Sequence, residues 1–337
     1  MNLRKLISFG KNSYIISLPK EWVNRNKLKK GDLIALDENK EGLLLTLNSK
    51  AETPEENRIV IQSESKSMDM LKTEIVSAYL DNYNVIEVIS KELKTNSAAI
   101  KKMLNDLAGF EIIDQSSGRI VAKDLINVNE ISIITLIRRM DNITRAMIED
   151  IIPCFDGAKG EEDIIHRDEE VNRLHFLAER VIRSGLKDIR IAKSLDADPL
   201  KLHSQHTVSV YVEKVADNIK SICGNVYNLK MDEKVRNELK TVFLKIREAY
   251  KEVMKAFYTN DSKLALSIEL KNKQLIEECD NFLDNHKHKG LDYSNLADKK
   301  GICRYRPSCA SCAKVIEDMK GMASSIKYIA RTMIGGG

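Results

Sequence analysis

Aromatic residues and proline are scarce in this sequence: Phe, Trp and Tyr make up 5% of the 337 residues, and there are five prolines. Few helix breakers and few aromatic side chains favour helices that pack through aliphatic residues. The chain also lacks a run of about 20 apolar residues, which a membrane-spanning helix requires, and its start lacks the apolar core of a signal peptide. We therefore expect a cytoplasmic, mainly α-helical protein with two or three domains.

Recognisable catalytic motifs are also missing. The sequence has no Walker loop, no dinucleotide-binding glycine fingerprint, no Gly-x-Ser-x-Gly and no His-Glu-x-x-His. We predict a protein that is not an enzyme. A metal-dependent phosphohydrolase, built on the three carboxylates introduced below, is the alternative.

Positive charge is concentrated at the N-terminus, although the net charge of the whole chain is only +4. Residues 1–30 hold eight Lys or Arg residues and one acidic residue. This asymmetry suggests that one end of the protein meets a polyanion. A solvated basic face is the alternative.

Residues 1–50 are predicted to form four short strands and one helical turn, which cannot bury a core without a second copy. The motif LPKE at 18–21, followed by KGD at 30–32, resembles the AbrB/SpoVT-type swapped-hairpin domain. The resemblance implies an intertwined homodimer that binds DNA through basic residues, with dimerisation alone as the alternative. The DNA-binding candidates are Arg4, Lys5, Lys11 and Asn12.

Residues 57–125 show the order β-α-β-α-β-β and predict a small α/β domain. This segment has no histidine and no glycine-rich phosphate loop. Its predicted role is a scaffold, and a small-ligand or interaction domain is the alternative.

From residue 128 the apolar residues recur with the 3.6-residue period of helices. Two units of three helices, 128–230 and 232–334, have similar lengths and indicate an internal repeat. We expect Pro153 to end the first helix and Gly185 to end the second. The predicted helices are 131–152, 163–184, 200–229, 234–258, 261–282 and 312–334.

The first of these units resembles a PhoU-type bundle. The likeness rests on the segments IRRMDNITRAMIEDII (137–152), RDEEVNRL (167–174) and YVEKVADNIKSI (211–222). The whole chain resembles archaeal regulators of phosphate uptake that join an AbrB-type domain to tandem PhoU bundles. The resemblance implies a DNA-binding regulator of phosphate homeostasis. The alternative is an adaptor that binds no DNA and negatively regulates a phosphate transporter or its kinase.

An acidic site is expected in the first unit. Glu213 and Asp217 are four residues apart and therefore lie on one face of a helix, where like charges repel unless a cation lies between them. Asp168 on the second helix can face the same site, and Asn172 adds a neutral oxygen. Such ligands suit hard or borderline cations, including Mg, Mn and Fe. The PhoU resemblance implies a metal cluster held by Asp168, Glu213 and Asp217.

A solvated acidic face, balanced by Lys214 and Lys220, is the alternative to this metal site. The second unit departs from the pattern, because its alignment with the first places Lys320 at the position of Glu213 and Ser324 at that of Asp217. Asn272 takes the place of Asp168. We expect no carboxylate site in the second unit.

A cysteine cluster precedes the last helix. Cys303, Cys309 and Cys312 have the spacing C-x5-C-x2-C, and His288 or Cys279 can supply a fourth ligand. Zinc is commonly held by four such ligands, and an iron–sulfur cluster also uses thiolates. A redox-sensitive thiol pair and inert cysteines are the alternatives.

Overall fold

The structure is a computed structural model that describes residues 3–39, 42–47, 56–91, 93–158, 160–227, 229, 233–286 and 310–334. The chain divides into two compact units, Met1–Glu55 and Glu56–Gly337. Each unit is described by itself.

The N-terminal unit consists of two hairpins separated by a short helix. Strands β1 and β2 pair antiparallel with Ile7 opposite Ile15, and β3 and β4 pair antiparallel with Ile34 opposite Leu47. Pro19 precedes the helix, where its missing N–H costs no hydrogen bond. The elements are β1 (Ile7–Phe9), β2 (Ser13–Ile15), α1 (Lys20–Arg25), β3 (Ile34–Asn39) and β4 (Gly42–Leu47).

The second unit begins with a four-stranded sheet and two helices, in the predicted order β-α-β-α-β-β. The spatial order is β5-β6-β8-β7, in which β5 is parallel to β6 and the other pairs are antiparallel. Leu71 and Leu104 of the two helices share one buried cluster with Ile61 and Val88 of the sheet. The elements are β5 (Arg58–Gln62), α2 (Met68–Leu80), β6 (Val85–Ile89), α3 (Leu93–Asn105), β7 (Phe110–Gln115) and β8 (Arg119–Asp124).

A 3-10 turn (Val128–Glu130) leads into the helical region. Ser132 and Asp198 cap the two helices that follow them, since each side chain accepts a hydrogen bond from a backbone N–H three residues later. The helices are α4 (Ile133–Phe155), α5 (Glu161–Lys187), α6 (Ile189–Ser194), α7 (Pro199–Val226), α8 (Glu233–Thr259), α9 (Ser262–His286) and α10 (Ala310–Ile334).

Two predicted helix ends are wrong. Helix α4 continues through Pro153 to Phe155, and the chain turns at Gly157, whose φ of 92° is the left-handed conformation that glycine favours. Helix α5 continues past Gly185 to Lys187. A Cβ at Gly185 would come within 3.0 Å of the Leu202 side chain, so this glycine permits close helix packing instead of ending the helix.

Helices α4, α5 and α7 pack together as one bundle, and α8, α9 and α10 pack together as a second. Across the boundary, Ser221 of α7 donates a hydrogen bond to Asp318 of α10 (2.5 Å). Further along, the rings of Tyr211 and Tyr328 stack with centroids 4.8 Å apart. Tyr211 precedes Ser221 on α7, whereas Tyr328 follows Asp318 on α10, so the two helices run antiparallel. A single apolar core extends through both bundles.

Within the described parts of the chain, no helix combines the length and apolar character needed to cross a bilayer.

Candidate functional sites

The four DNA-binding candidates are exposed on the first hairpin. Lys11 and Asn12 lie in the turn between β1 and β2, where Gly10 has a φ of 69°. Arg4 and Lys5 precede β1 and therefore lie towards the other end of the hairpin. A three-residue strand spans only about 10 Å, so both groups can meet one phosphate backbone.

The N-terminal unit has no core of its own in the part that the structure describes. Among the described side chains between residues 3 and 47, none is buried. Phe9 is 65% exposed and Leu36 is 65% exposed. Ten large apolar side chains of this unit are exposed: Leu3, Leu6, Ile7, Phe9, Tyr14, Ile15, Ile16, Leu33, Leu36 and Leu43. A hydrophobic surface of this density in so small a unit is typical of an interaction face.

The structure brings together the acidic residues predicted in the first bundle. Asp168 on α5 is buried, and Asp217 lies opposite it on α7. Lys220 lies between them, with its Nζ 2.5 Å from Asp168 Oδ2 and 2.8 Å from Asp217 Oδ1. Asn172 donates from Nδ2 to the same Asp168 oxygen (3.3 Å). The acidic site therefore contains an internal ammonium group.

The pKa values of this site reflect its burial. Burial, followed by the neighbouring Asp217 carboxyl, raises the pKa of Glu213 to about 7. Burial also raises the pKa of Asp168, against the opposing effect of Lys220. Burial lowers the pKa of Lys220, but hydrogen bonds to Asp168 and Asp217 outweigh it and the net direction is upward. The raised pKa of Asp168 favours a neutral carboxyl group, whereas the raised pKa of Lys220 favours a charged ammonium group. The two short contacts of Lys220 Nζ, to Asp168 and to Asp217, indicate that the ion pair is charged.

In the observed arrangement, an ammonium group lies where a metal between Asp168 and Asp217 would bind. Among the residues that the structure describes, no group of three or more His, Cys, Asp or Glu side chains is placed to hold a metal ion. Asp168 and Asp217 direct oxygens at Lys220, and a metal in the same position would meet an ammonium group at hydrogen-bonding distance. The predicted metal ligation by Asp168, Glu213, Asp217 and Asn172 stays a prediction.

The equivalent place in the second bundle holds no aspartate or glutamate at the aligned positions. Asn272 on α9 is buried and donates from Nδ2 to the backbone oxygen of Ala323 (2.6 Å). Lys320 pairs with Asp280 on α9, at 2.7 Å. A buried amide and a lysine thus stand where the first bundle has Asp168 and Glu213.

The cysteine cluster lies largely outside the described residues. Cys303, Cys309 and His288 belong to the segment 287–309, and Cys312 is buried at the start of α10. Cys279 is buried within α9, and its burial raises the pKa of the thiol to about 12. Zinc or iron–sulfur ligation at these positions stays a prediction.

Sequence reasoning missed a buried ionic clamp between the α/β region and the first bundle. Arg180 of α5 is 2% exposed and donates to Asp124 at the end of β8 (2.6 Å). Its Nε donates to Asn82 Oδ1 (2.9 Å), and its guanidinium lies 4.6 Å from the ring centroid of Tyr79 and 5.4 Å from that of Phe110.

The backbone conformation of Asn82 allows its side chain to reach Arg180. Its φ of 67° is left-handed, a conformation that asparagine tolerates better than most residues. This turn after α2 directs the amide at α5, where Nδ2 also donates to Ser184 Oγ (2.5 Å). Arg180 is 56 residues from Asp124 and 98 from Asn82. Local periodicity therefore gives no signal of the clamp.

Comparisons with known proteins agree with the two predicted resemblances. Residues 7–66 match the family model described as antidote-toxin recognition MazE, bacterial antitoxin. The structure is similar to the crystal structure of PhoU from Pseudomonas aeruginosa, with a TM-score of 0.50 and 16% sequence identity. That match covers 60% of this chain and 93% of the PhoU chain. No curated protein sequence matches the chain significantly.

These findings define a chain with a MazE/AbrB-like N-terminal domain and a PhoU-type helical fold. The mainly helical fold class that the sequence predicts is confirmed. An identity of 16% carries the fold and not the activity.

Proposed function

We propose that this protein is a dimeric, DNA-binding regulator of phosphate homeostasis. The observation that carries the proposal is the union of a basic, coreless MazE/AbrB-like unit with a PhoU-type fold in one chain. The N-terminal units pair and bind DNA, and the helical bundles respond to phosphate status or bind a partner. The protein acts by binding and not by catalysis.

The exposed apolar side chains support the pairing step. Moving one such side chain from water into an interface contributes about 1.5–3 kcal/mol when it is fully buried. Ten of them are exposed in the N-terminal unit, including Ile7, Phe9 and Leu36. A second copy of the same unit offers the matching apolar surface and completes a core that one chain lacks.

The basic side chains support the DNA step. Lys and Arg contacts to phosphates release counterions, so the binding constant falls steeply with salt. A dimer presents two copies each of Arg4, Lys5 and Lys11, all of them exposed. Six phosphate contacts predict a slope of log K against log salt of about −5, at about −0.9 per contact.

The test combines light scattering with DNA binding by the full-length protein. We expect a dimeric mass and a salt-dependent affinity for fragments of genomic DNA. Lys11→Glu should weaken DNA binding and reduce the salt slope by about 2, because each dimer loses two contacts. Lys255→Glu is the matched control, since it makes the same charge change on the exposed surface of α8.

A second candidate function shares the dimer but not the DNA. The exposed apolar residues favour pairing whether or not DNA is bound. A dimeric mass without retardation of DNA at low salt would support an adaptor that regulates a phosphate transporter or its kinase. A monomeric mass at working concentrations would refute both versions.

A further inference from the structure

The acidic site of the first bundle poses a problem of charge balance. The Asp168 side chain is 5% exposed and sits where the helices α5 and α7 pack together. A buried carboxylate is strongly unfavourable unless an opposite charge and hydrogen bonds compensate it. Glu213 and Asp217 add two more carboxyl groups on the facing helix.

Lys220 meets the requirement for a cation. It lies three residues after Asp217, so that both side chains leave the same face of α7. Its ammonium group crosses to α5 and contacts Asp168 Oδ2 at 2.5 Å while it holds Asp217 Oδ1 at 2.8 Å. Charge-assisted hydrogen bonds of this length are among the strong ones in proteins.

The same contacts occupy one carboxylate oxygen of Asp168 and one of Asp217. Asp168 Oδ2 receives both Lys220 Nζ and the Asn172 amide. A metal that binds through Asp168 Oδ2 and Asp217 Oδ1 would have to displace the ammonium group first, because two cations repel strongly at this distance.

The second bundle lacks the equivalent pair and joins its second and third helices through a lysine and an aspartate at other positions. There a neutral Asn272 takes the place of Asp168, and its amide bonds to the backbone of α10. Lys320 takes the place of Glu213 and pairs with Asp280 on α9 (2.7 Å). In both bundles, therefore, a lysine from the third helix pairs with an aspartate of the second.

We infer that Lys220 is the resident cation of the first bundle's acidic site, so that this site closes on an internal ammonium group instead of a metal ion. Lys220 is then a positioning residue that holds α5 against α7. The folded state of this bundle is independent of metal supply.

Thermal unfolding of the full-length protein in EDTA and with added Mn²⁺ tests the inference. For the wild type we expect the same Tm in both conditions. In Lys220→Met the Tm in EDTA should fall by about 5 °C or more, because the carboxyl groups lose their counter-ion. Added Mn²⁺ should then raise the Tm of this variant by about 5–10 °C at 100-fold above its Kd.

Lys327→Met is the matched control. Lys327 occupies the position of Lys220 in the aligned third helix of the second bundle, and it forms no salt bridge within the described residues. We expect neither a loss in EDTA nor a gain with Mn²⁺ for this variant. Lys220→Arg keeps the positive charge and should stay insensitive to Mn²⁺.

Two results would overturn the inference. The first is a wild-type protein that retains one metal per chain after dialysis and loses it in Asp217→Asn, a readout that needs no lysine variant to fold. The second is a folded Lys220→Met protein whose Tm does not respond to Mn²⁺, since the carboxyl groups would then not form a cation site at all.

Discussion

Replacing Arg180 by methionine tests whether one buried guanidinium fastens the α/β region to the first bundle. Arg180 is 2% exposed, and the side chain of its partner Asp124 is 6% exposed. Methionine fills much of the same volume but leaves the Asp124 carboxylate buried. Within the described contacts, that carboxylate then keeps the backbone N–H of Ile126 (3.0 Å).

The expected cost follows from that burial. Removing one partner of a buried ion pair costs about 3–5 kcal/mol, because the other charge stays desolvated and unpaired. The lost stacking of the guanidinium on Tyr79 adds about 1 kcal/mol. A typical domain is stable by only about 5–15 kcal/mol, so a loss of this size is a large fraction of the total stability.

Hydrogen exchange measured by mass spectrometry is the appropriate assay, because it resolves separate regions of one chain. Protection of β6 and β8 should fall by about 1,000- to 10,000-fold in Arg180→Met, since the total loss is about 4–6 kcal/mol and each 1.4 kcal/mol is a factor of ten. Adding Asp124→Asn should restore part of this protection, because the variant then buries an amide and not a charge.

Arg183→Met is the control for Arg180→Met. Arg183 lies on the same helix, but its side chain is 42% exposed, against 2% for Arg180. Solvent therefore reaches its ion pairs with Asp81, which is 47% exposed, and with Glu179, which is 14% exposed. Exposed pairs contribute at most about 1 kcal/mol. If Arg180→Met and Arg183→Met lower the protection equally, or if Arg180→Met lowers it less than tenfold, the clamp reasoning is refuted.

Two further predictions concern single positions. Because the pKa of Glu213 is raised to about 7, the folded state binds a proton that the unfolded state has released between pH 4.5 and pH 7; stability should therefore fall as the pH rises through this window. We measure the free energy of unfolding by urea titration in EDTA at pH 5 and at pH 8. The decrease between the two pH values should be smaller in Glu213→Gln than in the wild type by roughly 2 kcal/mol. An equal decrease in both proteins would contradict the raised pKa of Glu213. Gly109→Ala should lower the Tm by several degrees, since Gly109 has a φ of 86° and a Cβ there would lie 2.3 Å from Ile126 Cδ1. Gly42→Ala, which meets nothing within 4 Å, is the control for Gly109→Ala.

Several parts of the fold could be predicted from the sequence because they depend on local physics. The 3.6-residue period predicted the six long helices. The two wrong helix ends, Pro153 and Gly185, have different causes. A proline in a last turn forfeits a single hydrogen bond, and a glycine inside a helix can serve a close packing contact with Leu202.

The candidate sites show the same division. The spacing of Glu213 and Asp217 predicted that both side chains lie on one helix, and both lie on α7. The alignment of the repeats placed Asn272 and Lys320 at the equivalent positions of the second bundle. The sequence did not decide whether a metal or Lys220 balances the charge of the acidic site, because Lys220 could also point to solvent. The packing of α5 on α7 places Asp168 within reach of the Lys220 ammonium group.

The sequence by itself determined the helix order and the basic N-terminal unit, which is too short to form a core alone. Each of these depends on residues close together in the chain. Only the tertiary structure decided that Lys220 joins Asp168 to Asp217 and that Arg180 reaches Asp124 and Asn82. Those contacts join residues 52 to 98 positions apart, and burial makes them strong; a one-dimensional pattern records neither distance nor burial.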